Sequence, residues 1–147
     1  IMDHDVVLSV GLDGHYYLLS FDKLARYERN GKKVYGLKLP CGHAWGRACA
    51  DGGGNAFILC SGMGEDRFVL RVSPSGDDVR VHVPYVAEGG AMCWEDLLAI
   101  SSGGTLYAAG YDGRLRVFTS DGTRIYASER SGTDELEALK KARDEQA

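Results

Sequence analysis

The chain has 147 residues, a hydrophobic fraction of 44%, a charged fraction of 26% and a formal net charge of −4. That length fits one domain or slightly less and is enough to bury a core. The acidic balance excludes an overall electrostatic draw toward nucleic acid or an anionic membrane, and no apolar run approaches the ~20 residues of a membrane helix.

The first ten residues show no signal-peptide pattern, since Asp3, His4 and Asp5 precede a short strand-like run. Ile1 ahead of Met2 suggests a tag remnant or a cut from something longer. The first unit then reads as four short strands, over 6–10, 16–21, 24–28 and 33–39, with turns at Asp13-Gly14 and Asn30-Gly31. Such pairs tolerate the positive φ that tight hairpins demand.

A second unit repeats the order, with strands over 47–50, 56–61, 67–72 and 79–83 and turns at Gly53-Gly54 and Ser75-Gly76. The third has strands over 97–101, 105–110, 115–119 and 124–128, with turns at Gly103-Gly104 and Asp121-Gly122. Outer strands such as Val79-Arg80-Val81-His82-Val83 alternate polar with apolar residues, while inner strands are more continuously apolar. The second unit is longer between its two turn glycines, which places an insertion near Gly62-Met63-Gly64-Glu65-Asp66. Beyond Ser131 the pattern becomes helical over 132–147, capped by Thr133 and carrying a Glu137–Lys141 pair.

Gly31, Gly76 and Gly122 lie 45 and 46 residues apart. A period in that range, filled with strands, marks β-propeller blades. The expected fold is all-β: three four-stranded blades over about 6–39, 47–83 and 97–128 within 1–131, followed by a short C-terminal α-helix. Propellers close with roughly four to eight blades. Three blades therefore leave two raw radial faces, to be hidden by a second copy in a six-bladed ring or by further blades of a larger chain.

Two stretches carry a family resemblance. Trp45-Gly-Arg-Ala-Cys-Ala-Asp-Gly-Gly-Gly-Asn-Ala-Phe-Ile58 is followed by Arg67-Phe-Val-Leu-Arg71. Leu98-Ala-Ile-Ser-Ser-Gly-Gly-Thr-Leu-Tyr107 is followed by Asp112-Gly-Arg-Leu-Arg-Val-Phe118. These resemble NHL repeats, whose units carry Pro-x-Gly-(Val/Ile)-Ala-Val-Asp-x-x-Gly-Asn-(Val/Ile)-Tyr-Val-x-Asp and then Arg-(Ile/Val)-x-x-Phe. Lactonase-like and streptogramin-lyase-like propellers are kindred alternatives. The Asp that often ends the second NHL strand is Phe21, Ser61 and Tyr111 here, and the Trp-Asp ending of WD40 blades is missing.

Aligning the first-turn glycines brings Asp3-His4-Asp5, His43-Ala44-Trp45 and Cys93-Trp94-Glu95 into register just before the inner strands. In a propeller those loops gather at one mouth of the channel. The candidate ligand-binding residues are accordingly His4, Asp5, His43, Trp45, Trp94 and Glu95, although the two tryptophans also suit simple packing between blades. Cys41, His43 and Cys49 are soft ligands without a fourth at zinc spacing. Asp13, Asp51 and Asn55 suit turns better than a calcium site. Neither a metal nor another cofactor is expected. Cys41, Cys49, Cys60 and Cys93 form no Cys-x-x-Cys pair, which points to reduced thiols and a cytoplasmic setting. Arg67, Arg71, Arg80, Arg114 and Arg116 are expected to form a solvated face of the outer strands.

The function expected from these features is a noncatalytic binding or scaffold module, recognising a protein or a small molecule, with no nucleic-acid or membrane partner. The rival is a propeller enzyme, a lyase or lactone hydrolase, using His43 or His4 beside an acid. No nucleophile elbow supports it, so no catalytic residue is assigned. A third reading makes the chain a fragment of a larger propeller protein.

Overall fold

The computed structural model describes residues 6–61, 67–84, 97–109, 115–121, 124–127 and 143. Three antiparallel four-stranded sheets follow one another along the chain, each paired in sequence order. The first holds β1 (Val7–Val10), β2 (Tyr16–Ser20), β3 (Lys23–Tyr27) and β4 (Lys33–Lys38). The second holds β5 (His43–Ala50), β6 (Ala56–Ser61), β7 (Arg67–Val72) and β8 (Val79–Pro84). The third holds β9 (Leu97–Ile100), β10 (Leu106–Ala109), β11 (Leu115–Phe118) and β12 (Arg124–Ala127). The fold is all-β, as the repeat period predicts. Of the helix expected over 132–147, residue 143 is helical and the rest lies outside the described residues, as does the expected insertion at 62–66.

The period of two along each strand decides how the sheets stack. On β6, Ala56, Ile58 and Cys60 join one apolar cluster with Tyr17, Leu19 and Leu24 of the first sheet. The alternate residues Phe57 and Leu59 join a second cluster with Leu98, Leu106, Ala108 and Phe118 of the third sheet. All six residues of β6 are therefore buried. On β2 and β10 burial alternates instead, because each of their sheets has a neighbour on one face. Large side chains of the first sheet meet Ala44, Ala48, Ala50 and Ala56 of the second, and that size contrast lets the sheets approach closely.

The inner strands also bond directly. The Ser9 hydroxyl donates to the Ala48 carbonyl at 2.8 Å, and the Leu12 N–H donates to the Ala50 carbonyl at 3.0 Å. In the third sheet's direction, the Cys49 thiol donates to the Leu98 carbonyl at 3.0 Å, and burial pushes that thiol up to about 11.

Two local departures from the sequence expectation matter for the site. β5 begins at His43 and not at residue 47, and it carries a bulge: Trp45 pairs with Leu59, but the next pair is Cys49 with Phe57. Gly46 takes a φ of 68° there, a left-handed conformation that only glycine adopts at little cost. β3 begins at Lys23, because Ser20 pairs with Lys23 across a two-residue turn. That turn forces Phe21 to a φ of 58°, which is unusual for a bulky side chain.

Candidate functional site

β1, β5 and β9 converge on one open cavity of about 580 Å³. Its walls are mainly apolar, with Val7, Val10, Ala48, Leu98, Ile100 and Tyr107 among them. Arg47 is the charged residue among the described lining. It sits just past Gly46, so the bulge that breaks the β5 register is also what sets this cation in the strand wall. Sequence reasoning missed Arg47 by reading it as an ordinary strand start; the adjacent Gly46 inside a run of strand residues was the available signal.

The sequence candidates separate. His43 and Trp45 lie on β5, paired with Ser61 and Leu59, and not in a loop ahead of the strand. The strand runs longer because Ala44 and Cys60 continue the pairing. The His43 ring packs edge-on against Phe21 of the first sheet, centroids 4.9 Å apart. It is thus part of the junction between the first two sheets, whereas the lining of the axial cavity on this strand starts at Gly46. His4, Asp5, Trp94 and Glu95 lie outside the described residues. Among the described residues, no group of three His, Cys, Asp or Glu is placed to hold a metal. Asp51 accepts from the Gly53 and Asn55 N–H groups, so it closes its own turn.

A polar latch crosses from the first sheet to the second. The Arg26 guanidinium donates to Asp13 at 2.9 Å and to the Pro74 carbonyl in the second sheet's outer turn. The Tyr17 hydroxyl donates to the same Asp13 carboxylate at 2.7 Å. The Arg26 and Asp13 side chains are only 9% and 5% exposed. Burial alone would push the Asp13 carboxyl up, but hydrogen bonds from Tyr17, the His15 N–H and Arg26, with the charge of Arg26, hold it below the usual carboxylate range. Burial and the Asp13 carboxylate push the Tyr17 phenol up.

Gly54 lies against this latch with a φ of +92°, and a Cβ there would stand 2.6 Å from an Arg26 nitrogen. Gly54→Ala is expected to destabilise the chain by about 1–3 kcal/mol, combining left-handed strain with displacement of Arg26. A lower urea midpoint with an unchanged slope checks this.

The expected solvated arginine face is corrected by burial. Arg26, Arg71 and Arg116 stand 45 residues apart on the third strand of each sheet. Arg116 is 1% exposed, and Arg71 donates to Asn55 at 3.3 Å. Arg80 is exposed and pairs with Asp78. Arg67 is on β7, and Arg114 lies outside the described residues. The three matched arginines do not all point the same way. Arg26 is opposite Tyr17 and Arg71 opposite Phe57, but Arg116 is opposite Ala108. A one-residue shift in register turns a side chain to the other face, so Arg116 shares the second sheet's side with Leu106 and Phe118.

No family model matches the sequence, and no curated protein matches it. Solved structures do. The β-propeller domain of Cps50 (Swd1) from Myceliophteria thermophila superposes with a TM-score of 0.58 at 13% identity, over 86% of this chain and 44% of that one. BamB from Moraxella catarrhalis gives 0.55 at 18% identity, over 83% and 37%. A chain of a nidogen/laminin complex gives 0.58 at 15% identity, over 84% and 49%. At such identities the likeness carries the fold alone. The chain spans less than half the length of each of these structures, and its three sheets are blades of a β-propeller.

Proposed function

We propose that the chain is a noncatalytic recognition module of NHL-like propeller type, closed into a six-bladed ring by a second copy of itself. One observation carries this reading: the first blade exposes an apolar face where a preceding blade would pack. Val6, Leu8, Val10 and Leu12 are 51–63% exposed, while Ser9 between them is buried toward the second blade. A groove of about 450 Å³ runs over the same blade beside Val6, Leu18 and Ala25. Exposed apolar surface that is contiguous asks for a partner. Coverage of less than half of each neighbouring propeller chain supports a partner that supplies as many blades again.

In the closed ring the axial cavity is the recognition site. Its apolar walls and Arg47 suit a ligand or peptide segment that is mostly apolar with one anionic group. The nidogen/laminin neighbour shows that a related architecture engages a protein partner, which favours recognition over chemistry for this chain as well.

Light scattering after size exclusion, across a dilution series, tests the ring. A species of twice the 16.0 kDa chain mass is expected. A stable monomer throughout overturns closure by a second copy and transfers the remaining blades to another chain.

A further inference from the structure

The open face of the first blade changes character from the channel to the rim. Leu8, Leu18, Ala25 and Gly36 pair in one row across its four strands. The row is bulky on the two inner strands and minimal on the two outer ones, where a groove of about 450 Å³ lies mostly along β3 and β4. Lys23, Lys33 and Lys38 line that groove, and all three are exposed. Lys38 stands 3.8 Å from Asp22 with 76% of its side chain exposed, so it keeps donors for another partner. A Cβ at residue 36 would stand 2.5 Å from Lys33 Cε; glycine there is what lets the Lys33 stem lie across β4.

The closed face of the same two strands is built differently. Arg26 on β3 reaches the Pro74 carbonyl. Tyr35 on β4 lies so near Gly76 that a Cβ there would stand 2.8 Å from its ring. Sheets that radiate from an axis diverge toward the rim, and these long side chains fill the widening gap between the first two blades. Ala25 and Gly36 cannot fill the matching gap on the open face. The third blade of a second copy brings no arginine to it either. Val117, opposite Tyr107, holds the place that Arg26, opposite Tyr17, holds in the first blade.

We propose that this rim groove receives the C-terminal segment 132–147 of the second copy, so that each chain clasps its partner's first blade. The docking rests on closure of the ring by two copies. Position, charge and shape select the occupant. β12 is the outermost strand of the third blade and ends at Ala127. The chain therefore leaves that blade at the rim, which in the ring adjoins β3 and β4 of the other copy. Its own first blade is farther off, because the second blade packs between the first and the third through the two faces of β6. Residues 134–139 carry Asp134, Glu135 and Glu137 with no base, against the three groove lysines, and opposite charges steer and orient a docking segment. Leu136 and Leu139 lie three apart on the expected helix and share one side of it, which suits the apolar floor at Leu18 and Ala25.

The test is zero-length carbodiimide cross-linking of the full chain, with isotope-labelled and unlabelled copies mixed and the products mapped by mass spectrometry. The expected products join Lys23, Lys33 or Lys38 to Asp134, Glu135 or Glu137, and include pairs with one labelled and one unlabelled peptide. Links confined to peptides of the same label place the segment on its own chain and overturn the proposal. A dimer in light scattering without these links overturns the docking and leaves the ring standing. A monomer overturns the ring and the docking with it. Charge exchange supplies an independent readout. Lys23→Glu with Lys33→Glu in one variant, and Asp134→Lys with Glu137→Lys in another, should each weaken the dimer by about 10-fold in the dissociation constant. Mixing the two variants should restore association, because both junctions of the mixed ring regain opposite charges. If mixing restores nothing, the segment and the lysines do not meet across copies, and the proposal falls.

Discussion

Replacing Arg26 with alanine is expected to cost about 3–5 kcal/mol, because it leaves the Asp13 carboxylate buried without its cation. Asp13 is 5% exposed on its side chain and receives Arg26 and Tyr17 together. The loss also frees the Pro74 carbonyl, and with it one of the polar ties between the first two blades. Urea unfolding measures the effect as a lower midpoint. Asp13→Asn should cost less, about 1–3 kcal/mol, since an amide keeps one acceptor for Tyr17 but loses the charge. The double variant should lose less than the two single losses together, as residues in one network couple by roughly 0.5–3 kcal/mol. Full additivity would show that the latch is incidental to stability.

The same carboxylate sets a pH dependence of definite sign. Its folded-state pKa lies below the unfolded one, so its contribution is fully present above the unfolded value of about 3.9. The contribution is lost as pH falls through the folded value. Wild-type stability should therefore drop more steeply than that of Asp13→Asn on acidification below about pH 4. Parallel curves would remove Asp13 from the account of acid unfolding.

Much of the architecture is legible in the sequence, because turn glycines and strand alternation are local signals with a fixed period. Gly31 and Gly76 announce hairpins, and φ values of 92° and 84° are what those hairpins demand. Contacts between blades are less legible. Arg26 carries no sign in the sequence that it will reach Pro74, 48 residues away, and an arginine on an outer strand reads as solvated by default. Arg116 shows the deeper reason. Its spacing from Arg26 and Arg71 keeps the repeat, yet its strand pairs one residue out of step, and register depends on pairing between strands and not on position along one. Of the site, the sequence marks His43 but misplaces it, since whether β5 starts at residue 43 or 47 depends on the partner strand β6 accepting Ala44 opposite Cys60. The axial cavity needs three strands from three blades, and no local pattern encodes its volume.

Leu8→Glu is expected to weaken ring closure by at least about 30-fold in the dissociation constant, equivalent to roughly 2 kcal/mol for a central apolar contact. Leu8 is 61% exposed on β1 and Val10 is 63% exposed two residues on, so both lie on the face that a second copy would cover. Monomer stability should hardly change, because neither side chain belongs to the clusters that join the three blades. That separation distinguishes the open face from the closed ones. Leu19, 2% exposed on the covered side of the first blade, gives the contrast: Leu19→Ala should cost about 2–5 kcal/mol of folding stability. Closure by two copies places each open first blade against the partner's third blade, so one substitution is present at both junctions of a two-fold ring. The loss of association should therefore be steep in Leu8→Glu and steeper in the Leu8→Glu, Val10→Glu double variant. If neither variant shifts the mass distribution of a wild-type dimer, the two copies meet through another surface, and the ring is not what holds them together.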